Sequence, residues 1–345
     1  MAVEKPSFLD ENRKDAGERK VGRSKGIVKL DLNVYKTIIA SMTRYSNPRI
    51  PEDEWIEAMG LLYGYNDGDD VVITECVPFT HTKKEGHILR VQFDQEDYVL
   101  ATEIENQFIQ REPPQFIVGW VHSHPGIVIM LTQDDIKNHL AWQTNNPNAI
   151  ALVFNHQRLL RQEETPRKRG DPKIPLELDP GFKIFRLTDP KKGLESNYDE
   201  VEYQFSDFPL NQELITNAKE FCLWVAKAFP REDAVVTEYE EYINKTLSKL
   251  EDIYTGTKSY IETLHRKGEH SRIPEIVDKE KASAKSIIEK GSQMVQIFRM
   301  MPPYLEYKER SRLVPQIDAI LGKWDQKIDG FLQRLEDLKD YQPSA

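Results

Sequence analysis

Trp120-Val-His-Ser-His-Pro-Gly-Ile-Val-Ile-Met-Leu-Thr-Gln-Asp-Asp135 is the stretch on which the reading of this chain turns. Its first residues continue an apolar run from Gln115 that reads as a buried strand. Side chains two apart on a strand share a face, so His122 and His124 point the same way. Pro125-Gly126 ends the strand. Thr132 then reads as the N-cap of a helix to Asn145, with Asp135 three positions on, a variant of the capping box. Asp135 falls in the first helical turn, where free amides and the positive dipole end stabilise an anion. Two imidazoles and one carboxylate leave a zinc ion one open coordination position, which separates a catalytic from a structural site. Asp134 is the rival carboxylate, and helical phase does not exclude it. His139, one turn later, reads as a helix-surface histidine, and His156, after the apolar strand Ala149–Phe154, as a structural one.

Zinc hydrolysis also needs a general base that is not a ligand. Glu57 is the best candidate, because it opens the buried, glycine-containing run Glu57-Ala-Met-Gly-Leu-Leu-Tyr-Gly64, where an ionised carboxylate needs a reason. Glu54 and Glu75 are nearby alternatives. Asn66-Asp-Gly-Asp-Asp70 reads as a hairpin turn and Val71–Phe79 as the returning strand.

Further out, Val28–Leu32 alternates like a strand, and Asn33 is placed to cap a helix through Tyr35, Ile38, Ile39 and Met42. Gln95–Arg111 reads as a helix ended by Pro113-Pro114. The charged segment 158–179 reads as an exposed insertion, after which Phe182–Leu187 rejoins the sheet. From Leu210 onward the pattern is helical: Asn211–Phe229, Glu232–Lys267, Pro274–Met300 and Tyr304–Tyr341. In the last, Ile317, Leu321, Trp324, Ile328, Phe331, Leu335 and Leu338 form an a/d seam. Such a seam is covered either by the chain itself or by a partner. The expected class is α+β: a central β-sheet flanked by helices, then a C-terminal α-helical region of bundle or coiled-coil type. The expected layout is a flexible leader at 1–26, a catalytic domain at 27–208 and a helical region at 209–345.

The chain has 345 residues, 39% hydrophobic and 30% charged, enough for two or three domains with a sizeable core. A formal net charge of -10 argues against a nucleic-acid partner. No apolar run is long enough to span a bilayer. Cys76 and Cys222 fit neither a disulfide framework nor a cysteine zinc site, so a cytoplasmic setting is expected, with the nucleus as an alternative in a eukaryote.

Taken together, Glu57 to Gly64, Gly119-Trp-Val-His-Ser-His-Pro-Gly126 and Thr132-x-x-Asp135 resemble the JAMM (MPN-plus) zinc metalloproteases, over residues 27–187. Within that family the likeness is to the proteasome-lid deubiquitinase subunit, the signalosome deneddylase subunit and the lysine-63-type deubiquitinases. The resemblance implies an MPN-type sheet and one Zn2+ per chain held by His122, His124 and Asp135. It implies that Glu57 is the general base and that the Thr132 hydroxyl, where the family usually has serine, helps to hold the oxyanion. Ile129-Met130 also departs from the Cys-Trp of close relatives. The implied substrates are conjugates of ubiquitin or a ubiquitin-like modifier, bound along Thr80–Phe93 and Ile127–Leu131, with a protein partner or self-association through the C-terminal helices. The competing readings are a non-catalytic MPN scaffold and a zinc peptidase that trims ubiquitin-like or sulfur-carrier precursors.

Overall fold

The computed structural model describes residues 22–82, 95–161, 178–228 and 234–343. They divide into two compact units, residues 1–231 together with Tyr304–Tyr307, and residues 232–303 with 308–345.

In the first unit, β1 (Gly22–Leu30) leads into α1 (Leu32–Thr43), followed by the hairpin β2 (Ala58–Asp67) and β3 (Asp70–His81). After α2 (Gln95–Phe108) come β4 (Phe116–Ser123), α3 (Gln133–Gln143), β5 (Ile150–Phe154) and the short α4 (His156–Leu160). Then β6 (Phe182–Leu187), β7 (Tyr198–Phe205) and α5 (Gln212–Ala228) complete the unit. The strands run in the order β1-β3-β2-β4-β5-β6-β7 as one mixed sheet that closes where β1 pairs in parallel with β7. Each strand of the sequence Ile150-Ala-Leu-Val-Phe154 type is apolar at every position because both faces are covered. One face packs Val34, Tyr35, Ile38 and Ile39 of α1 with Leu214, Ile215, Ala218 and Cys222 of α5. The other packs Ala101 and Ile104 of α2 with Ile136 of α3. At Gly119 an added Cβ would overlap the Ile150 carbonyl, so only glycine lets β4 and β5 approach as closely as they do.

Four expectations about this unit change. The first strand begins at Gly22, so residues 22–26 of the leader expected at 1–26 belong to the sheet, while residues 1–21 lie outside the described residues. Residues 22–26 are held by β7, where the Gly22 amide donates to Asp199 at 3.0 Å and Arg23 pairs with Glu202 at 2.9 Å. The helix cap is Asp31, not Asn33: Asp31 is extended, and its carboxylate accepts from the Val34 amide at 2.8 Å. The strand Tyr198–Phe205 was not expected at all. The boundary expected at 208/209 lies after α5, whose apolar face belongs to the first core.

The segment expected as an exposed insertion at 158–179 begins inside α4, and its residues 162–177 lie outside the described residues, but its flanks are fastened together. Arg158 donates to Asp179 at 2.9 and 2.6 Å, the Gly181 amide donates to Asp179 at 2.9 Å, and the Asn155 amide donates to the Gly181 carbonyl at 2.7 Å.

The second unit is helical: α6 (Ala234–Lys267), α7 (Ile273–Met300), α8 (Tyr307–Ile328, all but its first residue) and α9 (Phe331–Glu336). Leu250, Ile261, Leu264, Val277, Phe331, Leu335 and Leu338 share one core. The long final helix expected from the seam is interrupted at Gly330, whose φ of 67° is the left-handed conformation that favours glycine. Of the seam, Ile317, Trp324, Phe331, Leu335 and Leu338 are buried, while Leu321 and Ile328 are half-buried. No helix of the described residues is long and apolar enough to cross a membrane.

Candidate metal centre

The centre forms where β2 begins and β4 ends. Met59 lies opposite His122 across the β2–β4 ladder, and His122 lies beside Val153 in β5. His124 follows the strand and stays tied to the sheet, its amide donating to the Phe154 carbonyl at 2.8 Å. The loop beyond it is held by Asn155, whose side-chain amide donates to the carbonyls of His124 at 2.8 Å and Ile127 at 2.9 Å. Asp135 arrives from the first turn of α3. Thr132 and Asp135 form a reciprocal cap: the Thr132 amide and hydroxyl donate to Asp135 Oδ2 at 2.8 and 2.7 Å, and the Asp135 amide donates back to Thr132 Oγ1 at 3.2 Å.

Strand, loop and helix thus bring three potential ligands together. His122 Nε2 and His124 Nε2 lie 3.0 Å apart, His122 Nε2 is 3.2 Å from Asp135 Oδ1, and His124 Nε2 is 3.3 Å from Asp135 Oδ2. All three residues are buried. Their geometry also bears on the two carboxylates that helical phase left open. Asp135 joins the cluster, whereas Asp134 is exposed.

Electrostatics fit a cation. Burial pushes His122 down, against the pull of Asp135. His124 is also penalised by burial, but its hydrogen bond to Asp135 and the charges of Asp135 and Glu57 leave it raised. For Asp135 the cost of burial is outweighed by the two imidazoles, which hold its carboxyl well below the usual range. Two imidazole nitrogens and an ionised carboxylate, all aimed at one point, are the donor set of a zinc site with an open position. The residues present therefore fit that metal.

Glu57 lies immediately before β2. Its carbonyl accepts from the Thr82 amide at 2.7 Å and the Thr82 hydroxyl at 3.0 Å. Next to it, the Ala58 amide donates at 2.9 Å to the hydroxyl of Ser123, the residue between the two histidines. Burial is the main reason its carboxyl is pushed up to about 7, and Asp135 and Asp134 add to the rise while His124 opposes it. The alternatives stand apart: Glu54 is exposed, and Glu75 pairs with Arg111 at 3.2 Å.

His139 is fully buried, not on the helix surface as its sequence position suggested. Its Nδ1 accepts from Trp120 Nε1 at 3.2 Å, and Trp120 in turn stacks on His122 at 4.3 Å between ring centroids. Burial, then the Arg186 charge, pushes His139 down to about 3, so it stays neutral and can accept. Trp120, Ser123, His139 and Asn155 all support the candidate ligands, a role that the sequence assigned to none of them. For Ser123 the signal was its place between the histidines. His156 is buried edge-on to Trp55, with ring centroids 4.8 Å apart, and is not a ligand. Of the expected groove walls, Thr80 and His81 end β3, and the Val128 carbonyl lies 3.2 Å from His124 Nδ1. Residues 83–93 lie outside the described residues.

Comparison with known proteins points the same way. Residues 27–148, which include Glu57, His122, His124, Thr132 and Asp135, match the model of the JAB1/Mov34/MPN/PAD-1 ubiquitin protease family. The COP9 signalosome complex subunit 5 of Kluyveromyces lactis is 31% identical over 105 residues, 30% of this chain and 27% of that one. The NAD(+) hydrolase TcpA of a Theionarchaea archaeon is 34% identical over 103 residues, 30% of this chain and 28% of its own. The Lys-63-specific deubiquitinase BRCC36 of Camponotus floridanus is 27% identical over 103 residues, 30% of this chain and 40% of its own. The matched region therefore spans well under half of each relative.

Proposed function

Starting from the membership of residues 27–148 in the JAB1/Mov34/MPN/PAD-1 family, we propose that this chain is a cytosolic zinc isopeptidase. Its substrate would be the amide between the C-terminus of ubiquitin or a ubiquitin-like protein and a lysine side chain. The observation that carries the reading is the convergence of His122, His124 and Asp135 within 3.3 Å beside Glu57. A zinc ion held there would supply a Lewis acid that brings the pKa of water to about 7 and polarises a carbonyl.

The chain's own residues supply the rest. Glu57, with its carboxyl pushed up to about 7, is matched to take a proton from the attacking water and pass it to the departing amine. Asp135 stays ionised because both histidines favour its charge. Thr132 Oγ1 holds Asp135 Oδ2 in the resting site, and the same hydroxyl turned toward substrate is a donor for the oxyanion. Val128, 61% exposed beside His124, offers an apolar contact to an incoming tail.

The test is a panel of isopeptide-linked and linear ubiquitin-like substrates, with and without chelator, alongside elemental analysis. One zinc per chain and chelator-sensitive cleavage of the isopeptide substrates are expected. A zinc-loaded protein that cleaves only linear fusions would make it a precursor peptidase, and one that cleaves nothing, a scaffold. Assembly through the helical region belongs to the same proposal, since one matched relative is a subunit of a complex. Sedimentation of the full chain at monomer mass, alone and with candidate subunits, would count against it.

A further inference from the structure

We infer that Glu306 is a positioning residue for the proposed general base Glu57, acting through Tyr45 and His81. The inference rests on the isopeptidase reading, although the contacts it starts from do not. Tyr304–Tyr307 belong to the first unit, and Glu306 is buried there at 8% exposure. Its Oε1 accepts from the Tyr45 hydroxyl at 2.8 Å and lies 2.7 Å from His81 Nδ1. The two partners also stack on each other, with ring centroids 4.3 Å apart and planes 17° from parallel. One carboxylate oxygen therefore locks two rings into one arrangement.

Both residues adjoin the backbone around Glu57 through their own main chain. Tyr45 accepts from the Ile56 amide through its carbonyl, at 3.4 Å. His81 is the register partner of Ala58 at the end of the β2–β3 ladder. The next residue, Thr82, donates twice to the Glu57 carbonyl. With the Ala58 amide on Ser123, residues 56, 57 and 58 are each tied by one backbone group. One of those three ties runs through Tyr45, which Glu306 clamps, and a second through Thr82, the chain neighbour of the clamped His81. A general base works only within hydrogen-bond reach of the proton it takes. Displacement of reacting groups by about 1 Å costs up to about a hundredfold in rate. Glu306 touches neither the ligands nor the reacting atoms; it fixes the ground on which Glu57 stands.

The experiment compares E306A and E306Q in the full chain. Gln keeps an oxygen that can accept from Tyr45 and His81, whereas Ala keeps none. E306A is expected to lower kcat about ten- to a hundredfold with KM within about twofold and zinc unchanged, and E306Q to restore most of the loss. Amide exchange at Thr82, read by NMR or mass spectrometry, is expected to accelerate in E306A and to return toward wild type in E306Q. Unchanged exchange at Thr82 in E306A overturns the inference, and so does unchanged kcat in an active enzyme, or a loss that E306Q shares in full. If wild type cleaves no conjugate, the isopeptidase reading fails by itself, and the exchange measurement still decides whether Glu306 holds the Glu57 segment.

Discussion

The two units bury different kinds of side chain. The first encloses His122, His124, His139, His156 and Asp135, all at most 8% exposed. In the second, among the described residues, the buried polar side chains are Thr246 and Thr257, each bonded to a carbonyl of its own helix, at 2.8 and 2.6 Å. Burying ionisable groups costs free energy unless they are paired or bind a metal. The helical unit avoids that cost with an aliphatic and aromatic core. The sheet unit accepts it around the candidate metal centre. Stability of the first should therefore respond to pH and chelators, and that of the second to packing.

The largest expected effect separates chemistry from metal binding. Glu57→Gln should retain zinc and lose about 10²- to 10⁴-fold in turnover, measured as kcat with parallel elemental analysis. Near-normal hydrolysis by this variant would remove Glu57 from its role. Next is the pH response of the first unit. An unfolded His156 takes up a proton near 6.5, while burial holds the folded one down to about 4. The unfolded state is favoured as pH falls through that window, by about 3 kcal/mol, with full stability above it. His156→Phe should flatten this slope in chemical unfolding series between pH 7 and 4. An unchanged slope would show that the imidazole is not the source.

The packing of the helical unit gives a smaller effect. At Gly291 an added Cβ would overlap the Trp324 ring. Gly291→Ala should cost about 1–2 kcal/mol net, overpacking exceeding the gain in helix propensity, with zinc content and kcat untouched. If thermal unfolding instead shows stabilisation, Trp324 has room to move. Smallest is the pair at the cap. Thr132→Ser keeps the hydroxyl and should stay within about tenfold of wild-type kcat. Thr132→Ala should lose about 1 kcal/mol through the missing cap. Equal melting temperatures for the two variants would argue against that cap contribution.

Much of the candidate metal centre was legible because its signals are local. The strand period places His122 and His124 on one face, and Thr132 announces the helix that carries Asp135. Helical phase alone left Asp134 open beside Asp135, and the Thr132–Asp135 capping pattern, local to residues 132–135, was the signal that favoured Asp135. His139 was misread because a polar residue one turn into a helix looks solvated, while Trp120 from another element covers it. The strand Tyr198–Phe205 was missed because Asp199, Glu200 and Glu202 interrupt its apolar residues, and its identity comes from pairing with β1 and β6. The turn at Gly330 was hidden for a simpler reason. Steps of four and three continue across it, so the seam reads as one helix. Glu306 lies beyond any local signal, separated by 225 positions from His81.

The salt link between Arg158 and Asp179, with Gly181 bonded to Asn155, staples together the two ends of the segment between them. Closing a longer tether across fixed ends adds only about 0.6 kcal/mol per doubling of its length. Replacing residues 162–177 by sequences of other length is therefore expected to leave thermal unfolding and the grip of Asn155 on the His124 loop unchanged.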